Sequence, residues 1–253
     1  MPRRVLHASE STSGGVGEFL SDLVADQLAR GWSVALAVPS AGPVPARLEQ
    51  AGARHLPWEA VPQPGPAMAA EARALRSIIR DVDPDVVHLH SSKAGILGRL
   101  LVRRRRPTIM QPHAWSFFAR TGAIQRATLA WERFGARWAD VVLCVSEDER
   151  RLGEEAGVKA RYRVLPNGVD LERFAAPRPG ARESARERLG LGSQPLAVCV
   201  GRLHRQKNQS ALLDAWPAVR AAVPDACLAL VGEGPDGDAL AARAVEGVEL
   251  TGQ

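Results

Sequence analysis

The chain has 253 residues, of which 45% are hydrophobic and 24% are charged, and this balance is typical of a globular protein with one large or two ordinary domains. Its net charge of +5 does not indicate nucleic-acid binding, because the 33 basic residues are spread along the chain and mixed with 28 acidic ones. The compact basic run Arg103–Arg106 is the segment best suited to anionic lipid headgroups.

The three cysteines share no metal-ligand or disulfide pattern, because Cys144, Cys199 and Cys227 each lie inside an apolar run. We therefore expect buried, reduced thiols and a cytoplasmic protein. The apolar stretch Val5–Ala8 is too short for a signal peptide, and no uncharged run approaches the roughly 20 residues of a membrane-spanning helix. Any contact with the inner face of a membrane is expected to be peripheral.

The chain begins with a β-α-β pattern, in which a predicted strand, Val5–Ala8, and a predicted helix, Glu18–Arg30, precede a strand at Ser33–Val38. Between the first two lies the glycine-rich segment Gly14–Gly17. We predict that backbone N–H groups there approach an anion or a sugar, with the alternative that the glycines only form a tight turn.

The dinucleotide fingerprint Gly-x-Gly-x-x-Gly is incomplete at this segment. Gly15 and Gly17 supply its first two glycines, but Leu20 stands at the third position. The pattern therefore disfavours a nicotinamide-dependent oxidoreductase, which stays a minor alternative.

Prolines dominate residues 41–66, and we expect irregular structure there apart from a short helix at Pro45–Ala51. A helix at Ala67–Arg80, a strand at Val86–His90 and a helix at Ala94–Arg103 are predicted next. The order of these elements continues the α/β pattern.

Polar residues follow the strand that ends at His90, at the position where open α/β sheets bind ligands. The candidates are His90, Ser91, Ser92 and Lys93. Alternation places His88 on the same face as His90, and we interpret His88 as a histidine of the core.

A second candidate follows the predicted strand Pro107–Met110. His113 stands at its exit, where an imidazole can position or polarise a reacting group; a structural histidine is the open alternative.

The helix predicted at Ala123–Trp138 carries aromatic residues that we expect in the core and in the wall of a cleft. After the next strand, Ser146 is a predicted N-cap, with Glu149 at the capping-box position.

The turn Pro166–Asp170 and the linker Ala175–Ser184 place a domain boundary between residues 1–175 and residues 176–253. The linker leads into a predicted helix at Glu183–Leu189. The second domain then contains predicted strands at Leu196–Val200, Ala226–Val231 and Val248–Thr251 and two full helices at Gln209–Ala222 and Asp236–Ala244. Three strands and two full helices are too few to cover both faces of a doubly wound sheet, so we expect an incomplete domain.

The segment Val200–Asn208 leaves the carboxyl end of the first of these strands. If that strand is buried, Arg202 and Lys207 stand where a ligand binds and suit its phosphate oxygens. The alternative is that they are solvated loop cations.

Seven segments form an ordered set: Gly14–Gly17, His90–Gly95, His113–Ser116, Val145–Glu147, Pro166–Asp170, Val200–Asn208 and Val231–Pro235. In this order they resemble the retaining glycosyltransferases of family 4, across almost the whole chain. The resemblance implies the α/β GT-B architecture of two facing Rossmann-like domains, here a complete first domain and an incomplete second one. His90–Gly95 and His113–Phe118 are most similar to members that extend lipid-linked or surface polysaccharide chains in bacteria.

The resemblance also implies residue roles. Arg202 and Lys207 match the cations that hold the diphosphate of the donor and stabilise it as it leaves. His113 matches the histidine beside the transferring sugar. Gly15 and Gly17 match the loop that comes near the donor and the acceptor.

The implied reaction moves a sugar from a nucleotide-diphosphate sugar to a glycan or lipid-linked acceptor with retention of configuration, in surface polysaccharide or glycoconjugate synthesis. It requires no metal ion and no cofactor beyond the donor substrate. The residues on the acceptor side are His90, Ser91, Ser92 and Lys93.

One departure concerns two glutamates, separated by seven intervening residues, that hold the donor sugar and ribose in this family. The sequence ends at Gln253 before reaching them, so we expect a truncated chain. A non-catalytic remnant that binds a phosphorylated sugar or a partner is therefore the main alternative to an active transferase.

Overall fold

The computed structural model describes residues 3–63, 65–172 and 174–252, and contacts divide these residues into two compact units. The first unit ends at Asp170 and the second begins at Leu171. The division follows the turn Pro166–Asp170, whereas the composition of the linker placed the boundary after residue 175. Gln253, where the sequence ends before the expected glutamates, lies outside the described residues.

The first unit is built on one sheet of seven parallel strands in the order β3-β2-β1-β4-β5-β6-β7. The strands are β1 (Arg4–Ser9), β2 (Ser33–Val38), β3 (Arg54–Pro57), β4 (Val86–His90), β5 (Thr108–Gln111), β6 (Val141–Cys144) and β7 (Tyr162–Val164). The strand order reverses between β1 and β4, and the carboxyl ends of strands at such a switch point are where α/β sheets bind ligands.

Helices cover both faces of this sheet. They are α1 (Gly14–Ala29), α2 (Pro43–Gln50), α3 (Met68–Val82), α4 (Ser91–Val102), α5 (Gly122–Gly135) and α6 (Glu147–Glu155), with 3-10 segments at Ser116–Ala119 and Ala136–Trp138. Leu6 of β1 packs in a cluster with residues of α3 and α4, whereas Val5 packs with residues of α1 and α2. The continuous apolar runs of the central strands follow from this burial on both faces.

The helices α1 and α4 begin earlier than predicted. α1 begins at Gly14, because the glycines form its first turn and are not a separate loop. α4 begins at Ser91, because the buried carboxylate of Glu10 accepts hydrogen bonds from the N–H groups of Lys93 and Ala94, at 2.9 and 3.0 Å. A carboxylate in this position satisfies N–H groups that have no partner within the helix.

The proline-rich segment also differs from the prediction, since it contains β3. This strand pairs with β2 at the edge of the sheet, and its last residue, Pro57, lies opposite Val38. A proline is tolerated on an edge strand because one side of the strand makes no ladder hydrogen bonds.

Two buried ion pairs fix α4 to its neighbours. Lys93 Nζ lies 2.9 Å from both carboxylate oxygens of Glu71 on α3. Arg99 Nη2 lies 3.1 and 2.9 Å from those of Glu132 on α5. All four side chains are buried, so each charge depends on its partner for stabilisation.

The second unit contains three parallel strands in the order β10-β9-β8. Its elements are α7 (Ala181–Arg188), β8 (Leu196–Val200), α8 (Gln209–Ala222), β9 (Cys227–Val231), α9 (Gly237–Ala241) and β10 (Val248–Gly252). The core contains Leu203, Leu213, Trp216, Leu228, Leu230 and Leu240.

β8 does not meet the condition of burial that was attached to the ligand interpretation of Arg202 and Lys207, since Val198 and Val200 are 54% and 77% exposed. Only Cys144 of the three free cysteines is buried; Cys199 and Cys227 are half-buried. Cys199 lies on β8, part of which faces outward in the described part of the chain, and Cys227 is the first residue of β9.

The Arg99–Glu132 pair predicts a specific pattern of stability. Glu132→Leu should lower the free energy of unfolding by about 3–5 kcal/mol, because it leaves a buried guanidinium unpaired. Arg99→Met combined with Glu132→Leu should recover most of this loss, since an apolar pair of similar volume needs no charge compensation. Urea unfolding measures both.

Glu155→Leu, at an exposed ion pair with Arg151, is the control and should change stability by less than about 1 kcal/mol. An equal loss in Glu132→Leu and Glu155→Leu would contradict the role of burial.

Candidate functional site

A cavity of about 460 Å³ opens in the first unit beside the start of α1, the exit of β5 and the start of α6. Its lining includes Gly15, His113, Trp115, Phe118, Ser146 and Leu152. A concave surface with mostly apolar walls and a few polar groups has the usual composition of a small-ligand site.

His113 enters this cavity from a strained loop. His113 and Ala114 have φ angles of 52° and 86°, in the left-handed region that non-glycine residues seldom adopt. Ala114 N–H donates to the Glu149 carboxylate at 2.6 Å, and the Trp115 indole N–H donates to the Glu149 backbone carbonyl at 2.8 Å. Such strain persists where surrounding contacts over-determine it, and it is common at functional sites.

The Glu149 carboxylate connects the segments that follow β5 and β6 by hydrogen bonds. Ser146 caps α6 as predicted, and its hydroxyl accepts a hydrogen bond from Glu149 N–H at 3.0 Å. The second carboxylate oxygen of Glu149 accepts from Val145 N–H at 2.7 Å. The capping-box spacing points to Glu149, but no sequence signal indicated its contact with Ala114, which is 35 residues away.

A chain of hydrogen bonds runs from His113 into the core. His113 Nε2 lies 3.0 Å from His90 Nδ1, and His90 Nε2 lies 3.0 Å from His7 Nδ1. His7 Nε2 then lies 2.8 Å from Gln27 Oε1. His90 was expected to face a ligand directly, but its side chain has no exposed surface in the structure. His90 reaches the cavity only through His113.

His88 is a core histidine as predicted, with Nε2 2.9 Å from Gln111 Oε1. Burial lowers the pKa of His7 and of His113 to about 4, and burial together with neighbouring histidines holds the pKa of His88 and His90 well below the usual value. All four rings are therefore neutral near pH 7. Because the unfolded chain binds more protons than the folded one between about pH 4 and 6.5, acidification through this range removes stability.

The remaining acceptor-side candidates divide into two groups. Lys93 does not face a ligand, because its ammonium is buried against Glu71. The prediction missed this pair because Glu71 lies 22 residues earlier, on α3. Ser91 and Ser92 are half-buried and line a narrow crevice shared with Ala114.

The two glycines of the first loop have different surroundings. A Cβ atom at Gly17 would overlap the backbone carbonyl of Thr12, so the absence of a side chain there has a packing reason. A Cβ atom at Gly15 would meet nothing within 4 Å, and Gly15 lines the cavity. Gly15 is therefore the position where a ligand can approach the backbone.

In the second unit, Arg202 and Lys207 are both exposed on the segment between β8 and α8. Within the described residues, neither takes part in an ion pair. The buried side chain of Gln209 donates to Arg202 O at 3.0 Å and fixes the backbone there, and Lys207 ends a 3-10 turn that begins at Arg205. The segment thus presents two available cations on a structured loop.

The loop after β9 packs directly on this segment. Leu203 N–H donates to Glu233 O at 2.9 Å, and Cβ atoms at Gly232 and Gly234 would overlap the carbonyl oxygens of Gly201 and Leu203. Glycine is therefore required for packing at these two positions of the Val231–Pro235 motif, since it lets the loops after β8 and β9 approach each other closely.

Each of the two units contains a range of residues that matches a known protein family. Residues 13–173 match the model for Glycosyltransferase Family 4, and residues 194–253 match that for Glycosyl transferases group 1. The chain belongs to Glycosyltransferase Family 4, and this membership disfavours the oxidoreductase alternative.

Several known proteins are similar to this chain. The GDP-mannose-dependent alpha-(1-6)-phosphatidylinositol monomannoside mannosyltransferase of Mycolicibacterium smegmatis is 49% identical over 98 residues, which are 38% of this chain and 25% of the relative. The UDP-Gal:alpha-D-GlcNAc-diphosphoundecaprenol alpha-1,3-galactosyltransferase of Escherichia coli is 30% identical over 173 residues, 64% of this chain and 43% of the relative. The chain thus spans less than half the length of these two relatives.

The fold is that of GT-B glycosyltransferases. The crystal structure of Anabaena HepE in complex with UDP and glucose matches with a TM-score of 0.80 and 19% identity, over 99% of this chain and 69% of that one. The sucrose-phosphate synthase of Thermosynechococcus elongatus matches with a TM-score of 0.76 and 18% identity, over 99% of this chain and 70% of that one.

The contrast between the two glycines can be tested by substitution. Gly17→Ala should lower the free energy of unfolding by about 1–3 kcal/mol, because the backbone of Thr12 must move. Gly15→Ala is the matched control and should change stability by no more than about 1 kcal/mol, since the new methyl group meets open space. Urea unfolding measures both, and equal losses would contradict the packing argument.

Proposed function

We propose that this protein is a glycosyltransferase that moves a sugar from a nucleotide-diphosphate sugar to a glycan or lipid-linked acceptor, with retention of anomeric configuration. The observation that carries the proposal is the pair of exposed cations, Arg202 and Lys207, on the loop that leaves a parallel strand in a member of Glycosyltransferase Family 4. Cations at this edge of an α/β sheet suit the phosphate oxygens of a ligand.

The proposed chemistry requires charge stabilisation at the leaving group. As the bond from the sugar C1 to the phosphate oxygen breaks, negative charge develops on the nucleoside diphosphate, and preorganised cations stabilise it. Arg202 and Lys207 supply this positive charge, so the proposal includes no metal ion and no further cofactor. Retention follows if the acceptor oxygen attacks C1 on the face that the phosphate leaves, while the departing phosphate oxygen takes the hydroxyl proton.

His113 is assigned to the sugar that is transferred. Its ring is neutral near pH 7 and lines the cavity, so it can form a hydrogen bond with a sugar hydroxyl. A neutral ring also adds no repulsion to the positive charge that develops on the sugar as the leaving group departs. Gly15 leaves space beside it for the ligand to approach the backbone.

The acceptor is proposed to be lipid-linked. The two relatives described above are named for a phosphatidylinositol mannoside and a diphosphoundecaprenol acceptor. In this chain, Phe118 and Leu152 line both the His113 cavity and a second cavity of about 340 Å³, which also contacts Leu129 of α5 and Ala156. This mainly apolar continuation suits the hydrocarbon part of an acceptor, and such acceptors serve surface polysaccharide or glycoconjugate synthesis.

An arginine–aromatic patch on the first unit supports peripheral membrane contact. The Arg103 guanidinium lies 5.5 Å from the centre of the Trp138 ring, and that of Arg137 lies 3.8 Å from the centre of the Phe134 ring. Phe134 was expected in the core or the cleft wall, but it is 43% exposed because α5 buries Glu132 instead. The patch consists of Arg103, Arg104, Arg105, Phe134, Arg137 and Trp138.

Arginines and partly exposed aromatic rings are well suited to the headgroup region of an anionic membrane. We propose that this protein is cytoplasmic, binds the inner face of the membrane through the patch and reaches its acceptor there. The described helices include none that is both long and apolar enough to cross a bilayer.

The assignment of Lys207 predicts a kinetic effect. In the full-length protein, Lys207→Ala should reduce kcat by about 100-fold to 1,000-fold, because a preorganised charge on the leaving group is lost. Arg205→Ala, which removes an exposed cation from the same 3-10 turn, is the control and should have little effect. A panel of UDP-sugars and GDP-sugars measures the rates, since the relatives use both nucleotides.

Unchanged kinetics in Lys207→Ala would contradict the diphosphate assignment. Binding of a nucleotide sugar by the unmodified protein without any transfer would instead favour the non-catalytic alternative.

The arginine–aromatic patch predicts lipid-dependent binding. Replacing Arg103, Arg104 and Arg105 by Ala should weaken sedimentation with phosphatidylglycerol vesicles by about 100-fold, since each basic residue near an anionic surface contributes about 1 kcal/mol. A triple Ala variant at the exposed Arg151, Arg161 and Arg163 removes the same charge elsewhere and should bind as the unmodified protein does. Equal weakening in both variants would contradict a specific patch.

A further inference from the structure

The hydrogen-bonded chain from Gln27 to His113 has a direction. We infer that it holds His113 in the tautomer whose Nε2 carries the proton and whose Nδ1 is a bare acceptor for a substrate hydroxyl. The substrate part rests on the proposed function, whereas the tautomer is a property of the protein alone.

The direction follows from the chemistry of neutral imidazole. Each neutral ring has one N–H donor and one bare nitrogen acceptor. When neutral rings are joined nitrogen to nitrogen, the proton position on the first ring therefore decides the position on every later ring. His7, His90 and His113 form such a row, with nitrogen separations of 3.0 Å at both junctions.

Gln27 sets the start of the row. Its amide oxygen lies 2.8 Å from His7 Nε2, and an amide oxygen can only accept, so His7 Nε2 donates. His7 Nδ1 is then bare and accepts from His90 Nε2. His90 Nδ1 is bare in turn and accepts from His113 Nε2, which leaves Nδ1 of His113 without a proton.

The ring geometry and burial support a fixed row. The planes of His90 and His113 differ by 23° and those of His7 and His90 by 31°, with ring centres 5.3 Å apart in both pairs. These values allow each N–H to point near the plane of the next ring. His7 and His90 have no exposed surface, so solvent cannot supply a substitute donor or acceptor if one proton is misplaced.

Gln27, His7 and His90 are therefore positioning residues that act on the substrate only through His113. The consequence is a direction for the substrate contact, in which a hydroxyl donates and His113 Nδ1 accepts. None of these three residues is indicated by the sequence motifs as a group that orients His113.

A metal ion is the competing use of the same side chains. His7, His88 and His90 each offer one ring nitrogen, and these three nitrogens lie within 4.8 Å of one another. A nitrogen that binds a metal carries no proton, so an ion held by His7 and His90 would break the row.

The test is long-range ¹H–¹⁵N correlation NMR on the intact protein with ¹⁵N-labelled histidine. The six histidines can be distinguished by single substitutions, including His113→Ala for the signal of interest. The expected spectrum shows a protonated Nε2 and a bare Nδ1 for His113 near pH 7. A protonated Nδ1, or a stoichiometric metal ion found by elemental analysis of the purified protein, would overturn the inference.

A variant then tests the origin of the tautomer. Gln27→Leu removes the acceptor at the end of the row and should give a mixture of tautomers at His113, with a lower kcat and a nearly unchanged KM. Gln50→Leu, an exposed glutamine on α2, is the control and should keep the single tautomer. A single Nε2-protonated form in Gln27→Leu would contradict the role of Gln27. Because the spectra need no substrate, a protein without transferase activity would still confirm or refute the tautomer.

Discussion

The parallel pairing of β1 with β4 is the constraint on which the first unit depends. Its register places His7 beside His88 and Ser9 beside His90, and Glu10 then extends from β1 to cap α4. Apolar residues line both faces of these strands and therefore specify the register weakly. The polar groups specify it strongly, because a shift by one residue would turn each histidine to the opposite face and leave buried hydrogen-bonding groups without partners.

The two units use charge in opposite ways. In the first, the ionised side chains of α4 are buried in pairs with Glu71 and Glu132, and the histidines near the cavity are neutral. In the second, Arg202 and Lys207 remain exposed on a loop held by close glycine packing. This contrast supports the proposed transfer, in which the sugar becomes electron-poor while its leaving diphosphate becomes more negative.

Local sequence patterns predicted most of the helices and strands, because the spacing of apolar residues, the helix caps and the turns each depend on residues that are close in sequence. β4, β8 and α8 have the predicted bounds, and Ser146 caps α6 as expected. The site was predicted less completely, since its main contacts join distant residues. Lys93 depends on Glu71, and the His113 loop depends on Glu149, 35 residues after Ala114. Burial of these groups is set by strand order, which no single segment of the sequence contains.

The configuration of the product at its anomeric carbon tests the proposed function most directly. The full-length protein is incubated with an α-linked nucleotide sugar and a lipid-linked acceptor, and the one-bond carbon–hydrogen coupling at the new anomeric centre is measured by NMR. Same-face attack predicts an α-linked product, because the acceptor oxygen approaches C1 on the face that the diphosphate leaves. A β-linked product would contradict same-face attack and the role of the departing phosphate as the base.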